Sequence, residues 1–109
     1  MSIIFNPVKV SRFDIPVRCT DIWFTGDNGT TIVFSYVTYK LERYDLNIVG
    51  TFMWHLCDGN HSIEDIANII GKLAQDGLNE GQEIIDYCIE FIQTLQDYGV
   101  IYIDNSHEL

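Results

Sequence analysis

Histidine, cysteine and acidic side chains are the groups of this chain that could act in catalysis or bind a metal. His55 lies two residues before Cys57, which is closer than structural zinc ligands usually lie. His61 and His107 have no spacing to cysteine or acidic residues that resembles a zinc site. The chain also has no glycine-rich phosphate loop and no Gly-x-Ser-x-Gly motif. We therefore expect no catalytic residues, no metal and no cofactor.

Acidic residues outnumber basic ones by sixteen to six, which gives a formal net charge of -10. Proteins bind the phosphate backbone of nucleic acids through clustered Lys and Arg, so this charge argues against a nucleic-acid partner. Many of the carboxylates fall at polar, capping or turn positions, where a solvated acidic side chain is the ordinary case. These residues are Glu42, Asp45, Asp58, Glu64, Asp65 and Asp86.

The three cysteines, Cys19, Cys57 and Cys88, are odd in number and widely spaced, and two of them lie in helical patterns. This usage favours reduced thiols in the core. No apolar run approaches the roughly 20 residues that cross a bilayer, and the N-terminus has no signal-peptide pattern. We expect a cytoplasmic protein with no membrane partner.

Two helices are predicted to meet at a corner within residues 46–73. Asn47 is placed to cap the first, and Ser62 with Asp65 forms a capping box for the second. The segment Asp58–His61 supplies Gly59 for a left-handed helix end and polar residues for a turn. The apolar stripes of the two helices are Leu46, Val49, Phe52, Met53 and Leu56, then Ile63, Ile66, Ala67, Ile70 and Leu73.

Three strands are predicted before this corner. Residues 1–16 hold both prolines and are interpreted as an arm with at most a short strand near residues 8–10. Residues 17–24 are β-prone and lead into an Asn28-Gly29 hairpin turn. The second strand, residues 31–37, has a strongly apolar face, formed by Ile32, Phe34 and Tyr36. The third strand, residues 39–44, is polar enough to be an edge.

A third helix is predicted over residues 80–98, after a loop at residues 75–78 and a capping signal at Asn79. Apolar surface extends past its core stripe to Ile89 on one flank and to Tyr87 and Tyr98 on the other, so the helix should serve two surfaces. Gly99 should end it, and residues 100–103 should follow as a short extended tail. The predicted core stripe is Ile84, Ile85, Cys88, Phe91, Ile92 and Leu95.

These elements predict an α+β fold in which three helices cover one side of a three-stranded antiparallel β-sheet. A chain of 109 residues is one domain with a single core. The third strand is then either an ordinary protected edge or a site where an extended peptide adds as a further strand.

The chain resembles the PqqD family of leader-peptide recognition domains (RiPP recognition elements) in several short segments, over about residues 17–103. These are Leu46-Asn47, Trp54 ahead of Leu56-Cys57-Asp58-Gly59, Ser62-Ile63-Glu64-Asp65-Ile66, and the helix end Tyr98-Gly99-Val100-Ile101. The resemblance implies a winged-helix-like fold over residues 17–104, between the arm and a tail at 105–109.

The resemblance also implies a non-catalytic function: the leader of a ribosomally made precursor peptide adds beside the third strand and packs on the third helix. The domain would then present the peptide to a modifying enzyme, a radical S-adenosylmethionine protein or a leader peptidase. Lys40 and Arg43 could pair with acidic leader residues, and which helix residues face the peptide is left open. The implied strand edge is Tyr39, Lys40, Leu41, Glu42, Arg43 and Tyr44, and the implied helix wall is drawn from Ile84, Tyr87, Cys88, Phe91 and Leu95.

A second hypothesis is an acidic winged-helix module that regulates through protein contacts or forms a homodimer. The spare surface of the third helix, at Tyr87, Ile89 and Tyr98, would then be the interface. The arm could cover the strand edge or pair with a second copy.

Overall fold

The computed structural model describes residues 9–36, 40–73 and 81–104. The predicted α+β fold is confirmed, because antiparallel strands and three helices share one core in these ranges. The predicted loop and cap at residues 75–79, Tyr39 and His107 lie outside the described residues. The elements are β1 (Ile15–Arg18), β2 (Trp23–Thr25), β3 (Thr31–Ser35), β4 (Glu42–Leu46), α1 (Ile48–Leu56), α2 (Ile63–Leu73), α3 (Gly81–Asp97) and β5 (Ile101–Asp104).

The single strand predicted over residues 17–24 is wrong, because the chain changes sheets within it. β1 pairs antiparallel with β5, whereas β2 joins the sheet β2-β3-β4. Between them the Cys19 N–H donates to the Val100 carbonyl, and the Thr20 hydroxyl donates to the Phe34 carbonyl. The expected tail after α3 is therefore a paired strand. Lys9 and Val10 form no strand, and Val8 is outside the described residues.

The face of β3 that meets the core is the mixed one, not the strongly apolar one. Val33 is fully buried together with the hydroxyl residues Thr31 and Ser35, and Tyr36 is 66% exposed. Burial of the hydroxyls is possible because both are hydrogen-bonded. Thr31 Oγ1 lies 2.8 Å from Thr25 Oγ1, and Ser35 Oγ donates to the Tyr98 carbonyl at 2.8 Å.

Strand β4 begins and ends two to three residues later than predicted. Lys40 and Leu41 precede it and are exposed, and Leu46 is buried as its last residue instead of opening the α1 stripe. Asn47 caps α1 as predicted, since its side chain accepts the Gly50 N–H at 2.7 Å. The chain thus turns from the edge strand into a helix within one residue.

The core face of α1 is rotated from the predicted stripe. Trp54 is fully buried, whereas Phe52 is 48% exposed. Leu73, predicted to end the α2 stripe, is also exposed. The α3 stripe is confirmed, with all its members buried except Phe91, which is half-buried against the core.

Helix-end signals were mostly predicted correctly. Ser62 and Asp65 exchange the two hydrogen bonds of a capping box, at 3.1 and 3.2 Å. Gly99 ends α3 with φ of 77°. Gly59 has φ of 83°, although the residue that caps α1 is Cys57, two positions earlier. Such signals act over three or four residues, which is why they can be read from sequence.

Asp58 stabilises the turn between α1 and α2. Its Oδ1 accepts the Asn60 N–H at 2.9 Å and lies 2.9 Å from His61 Nδ1. Partial burial would raise the pKa of the Asp58 carboxyl, but the hydrogen bonds from His61 and Asn60 outweigh it and hold this pKa below its usual range.

We expect Asp58→Asn to lower the free energy of unfolding by about 0.5–1 kcal/mol at neutral pH, since the charged acceptor is lost. A carboxyl whose pKa is lower in the folded state stabilises above its unfolded pKa of about 3.9, and this contribution disappears as the pH falls. Urea unfolding at pH 7 and pH 3 would measure it. The difference in the free energy of unfolding between wild type and Asp58→Asn should be smaller at pH 3 than at pH 7. An equal difference at the two pH values would contradict the stabilising role of the Asp58 carboxylate.

Candidate functional site

Among the described residues, the backbone groups at the outer edge of β4 have no partner strand. The Phe34 N–H donates to the Ile22 carbonyl, and in an antiparallel sheet the backbone groups of successive residues point to opposite neighbours. Thr31, Val33 and Ser35 therefore face β4, where their register partners are Leu46, Tyr44 and Glu42. It follows that the N–H and C=O groups of Arg43 and Asp45 point away from β3. In the ranges that the structure covers, no strand pairs with this side of β4.

Helix α3 forms a wall beside this edge. The Tyr44 ring stacks on the Tyr98 ring, with centroids 3.8 Å apart and planes 6° apart, which joins the strand to the end of the helix. Further along the helix, Tyr87, Glu90, Phe91 and Thr94 line a shallow open pocket of about 220 Å³. We call the space between the β4 edge and these α3 residues, including Tyr98, the β4–α3 groove.

Gly50 allows Phe91 to lie against the beginning of α1. A Cβ at position 50 would stand 3.1 Å from two atoms of the Phe91 ring and 3.2 Å from Asn47 Oδ1. These distances are tighter than ordinary carbon contacts. The capped start of α1 thus supports the pocket wall from behind.

The residues predicted to contact a peptide divide between the groove and the core. Tyr87 and Phe91 line the pocket, and Glu42 and Tyr44 lie on the inner face of β4. Ile84, Cys88 and Leu95 are buried in the core, so they do not form the surface of the wall. Lys40 and Leu41 precede the strand, Arg43 lies on its outer face, and Tyr39 is not described.

Sequence reasoning missed Glu90 and Thr94, which are polar and were not considered as wall residues. Their spacing of three and seven from Tyr87 places them on the same flank of α3 and could have identified them. Asp45 was missed as an edge residue because β4 was predicted to end at Tyr44.

The two faces of β4 carry different charged groups: the outer face has an ion pair, and the inner face has a carboxylate next to a tyrosine. On the outer face, Arg43 Nε donates to Asp45 Oδ1 at 2.8 Å. This hydrogen bond raises the pKa of the Arg43 guanidinium and lowers that of the Asp45 carboxyl. On the inner face, desolvation and the nearby Glu42 charge raise the pKa of the Tyr44 hydroxyl, so the tyrosine stays neutral. The inner face of β4 thus offers the uncharged Tyr44 ring together with the acidic Glu42.

The described part of the arm packs on the opposite flank of α3. The Val10 N–H donates to Gln93 Oε1 at 3.0 Å, and the Val10 side chain is buried in the core. Arg12 forms an ion pair with Glu64, and the Asp14 carbonyl accepts the Ile63 N–H at the start of α2. Residues 9–16 therefore do not cover the β4 edge.

A second cavity, of about 350 Å³, lies between β1, β2 and the α1–α2 turn. Its arginine, Arg18, already donates to the Trp54 and His55 carbonyls at 2.8 and 2.9 Å. This Arg18 contact satisfies carbonyls at the end of α1, which is a structural role.

The cysteine thiols are poorly suited to nucleophilic chemistry. Burial raises the pKa of Cys57 to about 12 and that of Cys88 to about 11. Cys19 is exposed, and partial desolvation raises its pKa as well. Within the described ranges, no group of three or more His, Cys, Asp or Glu side chains is placed to bind a metal ion.

We expect iodoacetamide to alkylate Cys19 at least about tenfold faster than Cys57 or Cys88 in the folded protein, since only exposed thiolates react. Peptide mapping by mass spectrometry would follow each site, and labelling in urea gives the control in which all three react. Rapid labelling of Cys88 in the native protein would show that α3 does not stay packed on the core.

Comparison with models of known protein families gives a match over most of the helical part of the chain. The family model described as "Coenzyme PQQ synthesis protein D (PqqD)" matches residues 35–101, which is more than half of the chain and includes β4, all three helices and the groove. No curated protein and no solved structure matches significantly. In the part of the chain that is described, no helix is both long and apolar enough to span a membrane.

Proposed function

Because the chain belongs to the PqqD family, we propose that it binds the leader of a ribosomally made precursor peptide, without catalysing a reaction itself, and presents the peptide to a modifying enzyme. The enzyme would be a radical S-adenosylmethionine protein or a leader peptidase. The observation that carries the proposal is the outer edge of β4, which pairs with no strand in the described part of the chain and lies beside the α3 pocket.

Backbone pairing supplies only part of the affinity. Two outward-facing residues, Arg43 and Asp45, offer two donors and two acceptors, and four such bonds contribute roughly 2–6 kcal/mol in total. Immobilising a flexible peptide costs a comparable amount. Binding therefore also requires that alternate peptide side chains enter the α3 pocket beside Tyr87 and Phe91.

The direct experiment is a titration of the protein with labelled peptides from a short reading frame next to its gene. The full precursor, its N-terminal leader and its remaining core segment are measured separately by fluorescence polarisation. We expect the precursor and the leader to bind with similar affinity and the core segment not to bind. Failure of both the leader and the full precursor would contradict the proposal.

The alternative, a protein-interaction or dimerisation module, is favoured by the outer face of the three-stranded sheet. Ile22, Phe24, Tyr36 and Leu41 are all more than half exposed at or near this face. The helix surface first considered for this role is less available, because Ile89 packs partly against the core and Tyr98 stacks on Tyr44. Sedimentation of the protein without peptide distinguishes the two functions: a stable dimer that no longer binds leader would favour the alternative.

A further inference from the structure

The β4–α3 groove carries negative charge that no described basic residue balances. Glu42 projects from the inner face of β4, and Glu90 lies at the pocket. Neither carboxylate forms an ion pair with any described residue. On α3 itself the acidic residues are Glu83, Asp86, Glu90 and Asp97, and the helix has no Lys, Arg or His.

The described basic side chains near the groove form no ion pair with its carboxylates. Arg43 lies on the outer face of β4 and is held by Asp45, so an acidic peptide side chain would have to displace this carboxylate. Lys40 is exposed before the strand begins. The remaining arginines are bound to Glu64 and to carbonyls of α1, away from the groove.

Resting on the proposed peptide binding, we infer that the groove selects a peptide segment with Lys or Arg among its inward-facing apolar side chains. Alternate side chains of a strand added to β4 point towards α3. According to its place along the peptide, an ammonium or guanidinium group there would lie near Glu42, beside the rings of Tyr44 and Tyr98, or near Glu90 at the α3 pocket. An acidic side chain at the same place would meet like charges and neutral rings.

A peptide library separates this charge preference from peptide binding as such. Random peptides displayed on phage would be selected on the full chain, with Arg43→Pro as counter-selection against binders that do not use the β4 edge. The same selection is run on the double variant Glu42→Gln/Glu90→Gln. Asp86→Asn, which removes one charge from the solvent side of α3 and leaves the pocket intact, is the matched control.

We expect Lys and Arg to be enriched over Asp and Glu on wild type and on Asp86→Asn, and the enrichment to be lost on the double variant. In a synthetic copy of a selected peptide, replacing the basic residue with norleucine should weaken binding about three- to fivefold, and replacing it with Glu about tenfold. Both differences should shrink between about 0.05 and 0.5 M salt.

Edge-dependent binders without a basic preference, or with an acidic one, would overturn the charge inference and leave peptide binding intact. If no edge-dependent binder is enriched and the leader also fails to bind, the proposed function fails and the charge inference fails with it. An enrichment of basic residues that persists on the double variant would overturn the assignment to Glu42 and Glu90.

Discussion

Replacing Arg43 with proline is expected to weaken leader binding by more than tenfold while the chain stays folded. The Arg43 N–H points to the open side of β4, so its removal costs the β3–β4 ladder no hydrogen bond. Proline is tolerated on edge strands for this reason. A peptide strand would lose one backbone hydrogen bond and would also meet the pyrrolidine ring. Fluorescence polarisation with labelled leader measures the loss, and circular dichroism checks the fold.

Two control substitutions separate the loss of the Arg43 N–H from other effects of the proline. Arg43→Ala removes the ion pair with Asp45 but keeps the N–H, so we expect its affinity for leader to stay within about threefold of wild type, as for an exposed pair. Tyr44→Pro removes an N–H that faces Val33 within the sheet, and we expect it to impair folding. If Arg43→Pro folds and binds leader like wild type, strand addition at β4 is wrong.

Proline at Leu41 would be a weaker test, although the sequence suggested it as part of the predicted edge. Leu41 precedes β4 and is exposed, so its N–H is outside the ladder. Because β4 begins three residues and ends two residues later than predicted, Arg43 is the better position for proline than Leu41. Strand ends depend on pairing with a distant segment, and local residue preferences determine them poorly.

What the sequence predicted well was local. The Asn47 cap, the Ser62–Asp65 capping box, Gly99 and the α3 core stripe all depend on contacts within a few residues or on one helical period. The core stripe of α3 could be predicted because apolar residues recur with the helical period on one face over its seventeen residues, and most residues of the opposite face are polar. These local features were sufficient to predict the helix, α3, that forms one side of the β4–α3 groove.

What the sequence did not predict was long-range. β1 and β5 are more than 80 residues apart in the chain, and nothing in either segment specifies its partner. The inner face of β3 could not be read from hydropathy, because Thr31 and Ser35 become buried only through hydrogen bonds to Thr25 and Tyr98. The helical spacing of Glu90 and Thr94 shows that they share a flank of α3 with Tyr87, but only the long-range placement of α3 beside β4 shows that this flank lines a groove.

The prediction of which face of α1 packs on the core was wrong, because this helix is apolar on several sides. Phe52 and Trp54 are separated by two residues and so by about 200° around the helix, and either could have faced the core. The structure buries Trp54, which contacts the Trp23 ring edge-on with centroids 5.8 Å apart. The orientation of α1 that buries Trp54 also brings Gly50 against the Phe91 ring, and this contact helps to determine the shape of the α3 pocket.

We expect Trp54→Ala to lower the free energy of unfolding by about 3–5 kcal/mol, the usual cost of emptying a buried aromatic site. That is a large share of the roughly 5–15 kcal/mol that stabilises a domain. Phe52→Ala on the same helix is the matched control and should cost no more than about 1 kcal/mol, since Phe52 is half exposed. Urea unfolding followed by circular dichroism measures both.

The comparison of the two variants tests the structure and its link to peptide binding together. If Phe52→Ala is the more destabilising change, α1 faces the core as the sequence pattern predicted, and the Gly50–Phe91 contact is misplaced. If Trp54→Ala is the more destabilising, α1 is anchored through Trp54 and holds Phe91 from behind. Leader affinity of the folded Trp54→Ala protein should then fall as well, because a loosened α1 no longer fixes the pocket wall on which the peptide side chains pack.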